Sequence, residues 1–217
     1  VMVADNTDGS ALFTTSCVYG GPSNFLDDCG NVNAAFANGG LAVGSSYDFG
    51  NGFTAAVGYA GPEGAVLTEE SLDAYGVNVA YTGEDYGVSL TYGLLESSTT
   101  EEDTYTAINA YYTPEGLPSI SVGYETVDIG GAASTVDEKE SVFAGLTWDE
   151  VGPGSLGVAL GYSNIVEGSD EEYMYEAYYS YPINDGMTIT PLVFVQDVSA
   201  ANTDDTTGVM VKTSFSF

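Results

Sequence analysis

Five times after Gly40 the chain alternates apolar with small residues, turns, and alternates back, and a further single run ends it. That last run, Thr206 to Phe217, shows the pattern most clearly. Val209, Val211, Thr213, Phe215 and Phe217 fall in one row, and Gly208, Met210, Lys212, Ser214 and Ser216 in the other. Successive side chains of a strand point to opposite faces, so a period of two means a strand with two unlike faces. An apolar row opposite small polar residues fits a wall with lipid outside and a polar lumen inside. It fits the edge strand of a soluble sandwich equally well. The remaining runs have to decide.

The first unit runs through Leu41, Val43, Tyr47 and Phe49, turns at Gly50-Asn51-Gly52, and returns through Phe53, Ala55, Val57 and Tyr59. The second places Tyr75, Val77, Val79 and Tyr81 before a turn at Gly83-Glu84-Asp85, then Tyr86, Val88, Leu90, Tyr92 and Leu94. The third runs from Thr104 to Thr113, turns at Pro114 to Pro118, and returns through Ile120, Val122 and Tyr124. The fourth and fifth follow suit, with turns at Val151 to Gly154 and at Asn184-Asp185-Gly186. Pro191 is the misfit, since it cannot donate to a ladder and calls for a bulge or a local edge. This gives eleven strands from Gly40, or twelve if Ala11 to Thr15 forms one. The expectation is an all-β, antiparallel up-and-down meander, residues 40–217, preceded by a loop-rich segment, residues 1–39.

The connections alternate in length. Those at Gly50, Glu84, Gly116, Gly152 and Asp185 are short, and those spanning Gly61–Ser71, Glu96–Glu102, Asp128–Glu138, Val166–Glu171 and Val198–Asp205 are mostly longer. In a meander alternate connections share an end, so one end carries tight turns and the other open loops, as in membrane barrels. More than half of the acid lies at the long-loop end. The apolar rows carry none, and Tyr, Phe or Trp stand near their ends, as interfacial girdles require. A salt-adapted soluble sandwich would instead place charge on the solvent face of its strands. No apolar run reaches the roughly 20 residues of a membrane helix. These features favour a transmembrane β-barrel, complete or part of a larger one.

Lys139 and Lys212 are the only basic residues against 32 acids, a net charge of −30 that excludes nucleic acid as a partner. With no His there is no Ser-His-Asp triad, and no nucleophile elbow or phosphate-binding loop is present, so we expect no enzyme. Two Cys and no His exclude soft-metal sites, and no resident cofactor is expected. Asp27-Asp28 and Asp204-Asp205 offer at most loose Ca²⁺ or Mg²⁺ binding. Cys17 and Cys29 enclose a stretch rich in Gly, Pro, Asn and Asp and are expected to pair. Among residues opposite the apolar rows, Asp48, Asn78, Asn109, Glu125, Glu176 and Lys212 are candidates to line a lumen. The carboxylates among them would favour cations. No initiator Met, basic n-region or apolar h-region stands at Val1, so we expect that either a signal segment has been removed or the start is internal.

Ser45 to Phe53, Gly116 to Tyr124, Tyr181 to Pro191 and the final Val211 to Phe217 together resemble the barrel domain of cyanobacterial outer-membrane porins related to carbohydrate-selective porins. The resemblance covers most of Gly40 to Phe217. It implies an outer-membrane location, lipid as a partner, and passive diffusion of ions and small hydrophilic solutes. It also implies that the terminal aromatics, Phe217 with Phe215 before it, are read by the insertion machinery. Members of that family carry an N-terminal S-layer-homology domain and more strands, and neither is found here. The chain is therefore expected to be a C-terminal portion or a short relative, with a second copy or a missing N-terminal segment as partner. Two other readings stand beside the pore: a surface-assembly protein whose free edges pair with other copies, and a secreted acidic β-sandwich.

Overall fold

The computed structural model describes residues 1–23, 26–32, 40–61, 68, 72–98, 101–131, 136–169, 172–197 and 205–216. Twelve strands run in chain order: β1 (Met2–Asp5), β2 (Leu41–Gly50), β3 (Phe53–Gly61), β4 (Ala74–Thr82), β5 (Tyr86–Ser98), β6 (Glu101–Tyr112), β7 (Ser119–Asp128), β8 (Glu138–Val151), β9 (Gly154–Val166), β10 (Met174–Asn184), β11 (Met187–Gln196) and β12 (Thr206–Phe215). They form a single sheet in which each pairs with its sequence neighbour. Every pairing is antiparallel. The architecture is the expected up-and-down meander. The sheet is not closed, and β1 and β12 are its two edges.

Local chemistry sets the tight turns. Asn51 and Gly52 have φ of 54° and 86°, the left-handed pair that lets a two-residue hairpin match the twist of its strands. The Asp48 carboxylate accepts the Gly50 amide at 2.7 Å and holds the bulge before that turn. Asp185-Gly186 also joins two strands in a two-residue hairpin, between Asn184 and Met187, but with negative φ at both residues, and the Gly186 amide donates to Asn184 Oδ1 at 2.9 Å.

Two expectations are corrected, and a third is met in one of its two forms, a local edge at Pro191. The connection after β5 is not long: β5 and β6 extend to Ser98 and from Glu101, so Glu96, Glu101 and Glu102 belong to strands. Acidic residues do not break a strand that rises clear of the sheet's covered zone, where both faces meet water. Ala11–Thr15 is not a strand, and the twelfth strand is Met2–Asp5. The amide of Thr14 goes to a side chain of the sheet rather than to a ladder. At Pro191 no bulge forms. The β10–β11 ladder runs from Met174 to Tyr178 and resumes in the same register at Tyr181, skipping Tyr179 and Ser180, while Pro191 stays paired with Val211 of β12.

One face of the sheet is covered and the other is bare. On β4 and β5, Asn78 and Ser89 are each 1% exposed, whereas Val79 is 53% and Leu90 52% exposed. The covering layer is the stretch from Gly9 to Asn31. It touches Gly44 and Gly58 at one side of the sheet and Gly161 and Glu176 towards the other. A segment this short reaches nine strands only because the sheet curls around it. The covered face is therefore the concave one.

Candidate functional site

The outer face is a belt. Val57, Val77, Val79, Leu90, Ile108, Val122, Val193 and Val209 are all exposed along it. Aromatic rings bracket these aliphatic residues. Phe53 and Tyr81 pack with centroids 4.8 Å apart at the turn end, and Tyr59 and Tyr75 at 5.3 Å at the loop end. Six residues, about 20 Å of strand, separate Tyr75 from Tyr81. A continuous apolar band of this kind marks a surface that meets lipid or another protein. At the loop end the ring hydroxyls find carboxylates: Tyr59 and Tyr75 donate to Asp73 at 2.8 and 3.3 Å, and Tyr124 donates to Glu140 at 3.1 Å. Glu140 stands on the outer row, two residues before Val142. The apolar rows are thus not wholly free of acid; Glu96, two residues after Leu94, and Glu138 share the outer rows with Glu140, all towards the loop-end rim.

The inner face is polar, and the N-terminal segment satisfies it. Asn78 Oδ1 accepts the Thr14 amide at 2.9 Å, and its Nδ2 donates to the Thr14 carbonyl at 3.1 Å. Ser89 Oγ accepts the Ser16 amide at 2.9 Å, and Ser121 Oγ those of Val18 and Tyr19 at 3.0 and 3.1 Å. Asn109 Nδ2 donates to the Cys29 carbonyl at 2.8 Å. An irregular stretch with no strand partner thereby finds side chains for its backbone groups. Cys17 and Cys29 are bonded as expected. Next to the bridge, Tyr19 packs on Phe143 of β8 and Tyr178 of β10, with ring centroids 5.3 and 5.7 Å away.

Glu176 is an inner carboxylate that borders a cavity. It accepts the Tyr19 hydroxyl at 2.6 Å on one oxygen and the Ser23 hydroxyl on the other. It shares a cavity of about 330 Å³ with Thr15, Cys17, Gly21 and Leu26. Burial, reinforced by this hydrogen bond to Glu176, pushes the Tyr19 hydroxyl far above the ordinary tyrosine range.

The six lumen candidates fall into three groups. Asn78, Asn109, Glu125 and Glu176 all point inward, but they are 1%, 1%, 0% and 5% exposed, because the N-terminal segment and neighbouring wall residues lie over them. Asp48 is exposed at a hairpin turn, occupied with the Gly50 amide. Lys212 is exposed on the inner row of β12, beyond the reach of the covering segment, opposite Thr190. Phe215 is exposed on the outer row. Phe217, Asp204 and the side chains of Asp27 and Asp28 lie outside the described residues.

The residues that sequence reasoning missed are those of the covering segment, Gly9 to Asn31. Their signal was present in the wall as glycines on the inner rows. A Cβ at Gly58 would overlap the Gly9 carbonyl oxygen, and one at Gly123 the Cys29 carbonyl oxygen.

No family model matches the chain, and no curated relative matches it. Solved structures do. A triple mutant of Rhodopseudomonas blastica porin superposes with a TM-score of 0.57 at 14% identity, over 82% of this chain and 55% of that one. A second mutant of the same porin gives 0.56 at 14% identity, over 83% of this chain and 60% of that one. The chain thus spans little more than half the length of these structures. At such identities the likeness establishes a fold, the wall of a porin-like barrel.

Proposed function

We propose that this chain is the wall of an outer-membrane channel that passes ions and small hydrophilic solutes passively and favours cations. The observation that carries this reading is the division of the sheet into two faces. From β2 to β12 the outer row exposes aliphatic residues between aromatic ends, and the inner row carries Asn, Ser, Thr and Glu. Lipid satisfies the first face and water or polar groups the second. The sequence resemblance to cyanobacterial porins points the same way.

The cation preference rests on charge. Two lysines face 32 acids in the whole chain, and Asp128, Asp137, Glu138 and Glu167 gather at the loop-end rim through which solute would enter. Carboxylates at a mouth raise the local concentration of positive ions and repel negative ones.

Planar-bilayer recording of the detergent-purified chain, in a salt gradient, tests both parts. Conductance steps with a reversal potential of cation-favouring sign are expected. An anion-favouring potential would remove the selectivity, and a protein that stays monodisperse without detergent would remove the membrane reading.

A further inference from the structure

We propose, building on the channel reading, that the segment from Thr7 to Asn31 is an inhibitory plug: docked, it closes the path along the inner wall, and it swings out as a unit to open it. The covered residues Asn78, Asn109 and Glu176 are those a solute would pass. They face the segment instead of water.

The wall is shaped to receive this segment. At Gly58 the three atoms nearest to an added Cβ all belong to it, two from Gly9 and one from Phe13. Gly in a strand interior weakens the strand and calls for a reason, and close approach of another backbone is one. The same holds at Gly123, where the Cys29 carbonyl oxygen occupies the space of the missing side chain.

The attachment is reversible in kind. Thr14 exchanges two hydrogen bonds with Asn78, and Ser16, Val18 and Cys29 each bond one wall side chain, neutral bonds that water can replace at a net cost of about 1 kcal/mol apiece. Ser16 Oγ and Asn109 Oδ1 are buried where segment meets wall, with no hydrogen bond from a described group. Docking therefore leaves polar atoms that exposure to water would satisfy. Opposing these losses are the apolar packing of Tyr19 and Leu26 against Phe143, of Tyr19 against Tyr178, and the Tyr19 and Ser23 hydroxyl bonds to the Glu176 carboxylate.

The hinge is in place as well. The Asn6 amide donates to the Gly40 carbonyl at 2.7 Å, directly after β1 and directly before β2. The chain that carries the segment thus leaves the sheet after Asn6 and rejoins it at Gly40, two bonded residues beside the β1–β2 pair, and the segment's departure breaks no strand pairing. The Cys17–Cys29 bond keeps its tip compact while it moves.

Gly58→Ala, and the double variant Gly58→Ala/Gly123→Ala, test this in the full chain. Two readouts apply: hydrogen exchange at the amides of Thr14, Ser16, Val18 and Tyr19, and bilayer conductance. Wild type is expected to protect these amides and to conduct rarely or in small steps. The double variant is expected to exchange them at least tenfold faster, with the β6–β8 amides still protected, and to give several-fold larger or more frequent steps. Faster exchange with conductance equal to a conducting wild type would overturn the plug and leave the channel standing. Undiminished protection in the double variant would overturn it too, because the segment would then be fixed structure. Silence in both forms despite fast exchange would overturn the channel and the plug together.

Discussion

Tyr19 ties the N-terminal segment to the wall by its ring and its hydroxyl, and its ionisation gives the docking a pH dependence. Burial first, and Glu176 second, raise its folded value above the ordinary one. The neutral phenol is the form that packs, so its contribution is complete below about pH 10 and is lost as pH rises past the value of a free tyrosine. Conductance recorded from pH 8 to 11 should rise beyond pH 10 in wild type, and Tyr19→Phe should flatten that rise. The partner carboxylate makes the complementary case. Glu176→Ala leaves the Tyr19 and Ser23 hydroxyls facing a wall without an acceptor, which costs about 1–3 kcal/mol for each donor left buried. Faster exchange of the Tyr19 amide with unchanged exchange in β4 and β5 is the expected outcome. Glu176 stood out in the sequence as a lumen candidate, but Tyr19 did not. Tyr19 was one of 17 tyrosines, and its burial depends on Gly145 and Phe143, more than a hundred positions later.

At the level of elements, the strands were legible because a barrel wall imposes a period of two that no short-range accident sustains through five hairpins. The alternation of Tyr75, Val77, Val79 and Tyr81 with Gly76, Asn78 and Ala80 determines both the strand and its faces. Strand ends were less legible. Glu101 and Glu102 read as loop by composition, yet they pair with Ser98 and Glu96 because a ladder continues wherever both backbones remain extended. The N-terminal segment was not legible at all, since its hydrogen bonds go to side chains of five wall strands and follow no period. The Cys17–Cys29 bond alone showed through composition, and it acts on this element rather than on the sheet. Cys17→Ser/Cys29→Ser should loosen the segment by up to about 3 kcal/mol, the loop-closure value for a ring of this size. Amide exchange in Thr14 to Tyr19 should accelerate while the urea midpoint of the sheet stays put. For the wall itself, Val79→Arg and Leu90→Arg place a charge in the middle of the outer belt. Each should destabilise the membrane-inserted sheet by about 2–4 kcal/mol in urea unfolding from lipid vesicles.

For the molecule as a whole, the unresolved demand is its edges. β12 has β11 on one side, and among the described residues no strand on the other. β1 pairs only Leu41 to Gly44 of β2, so Ser45 to Gly50 have β3 as their one described partner. Water can hydrogen-bond such an edge, but hydrocarbon cannot, and each unmet backbone group there costs several kcal/mol. An open edge the length of β12 is therefore incompatible with a stable position in a bilayer. β1 and β12 run in opposite directions, so they are able to meet as an antiparallel pair, yet four residues against ten leave most of β12 unmatched. The porin chains with which this chain superposes are covered over only 55–60% of their own length, so they hold wall that this chain does not supply. Paired edges make a specific prediction. In lipid vesicles the backbone amides of Val209, Val211 and Thr213 should exchange as slowly as those of the central strand β7, whatever strand supplies the partner. Fast exchange at β12 in an inserted, otherwise protected sheet would mean that the edge meets water. The channel would then be lined on one side by an open seam rather than by a closed wall.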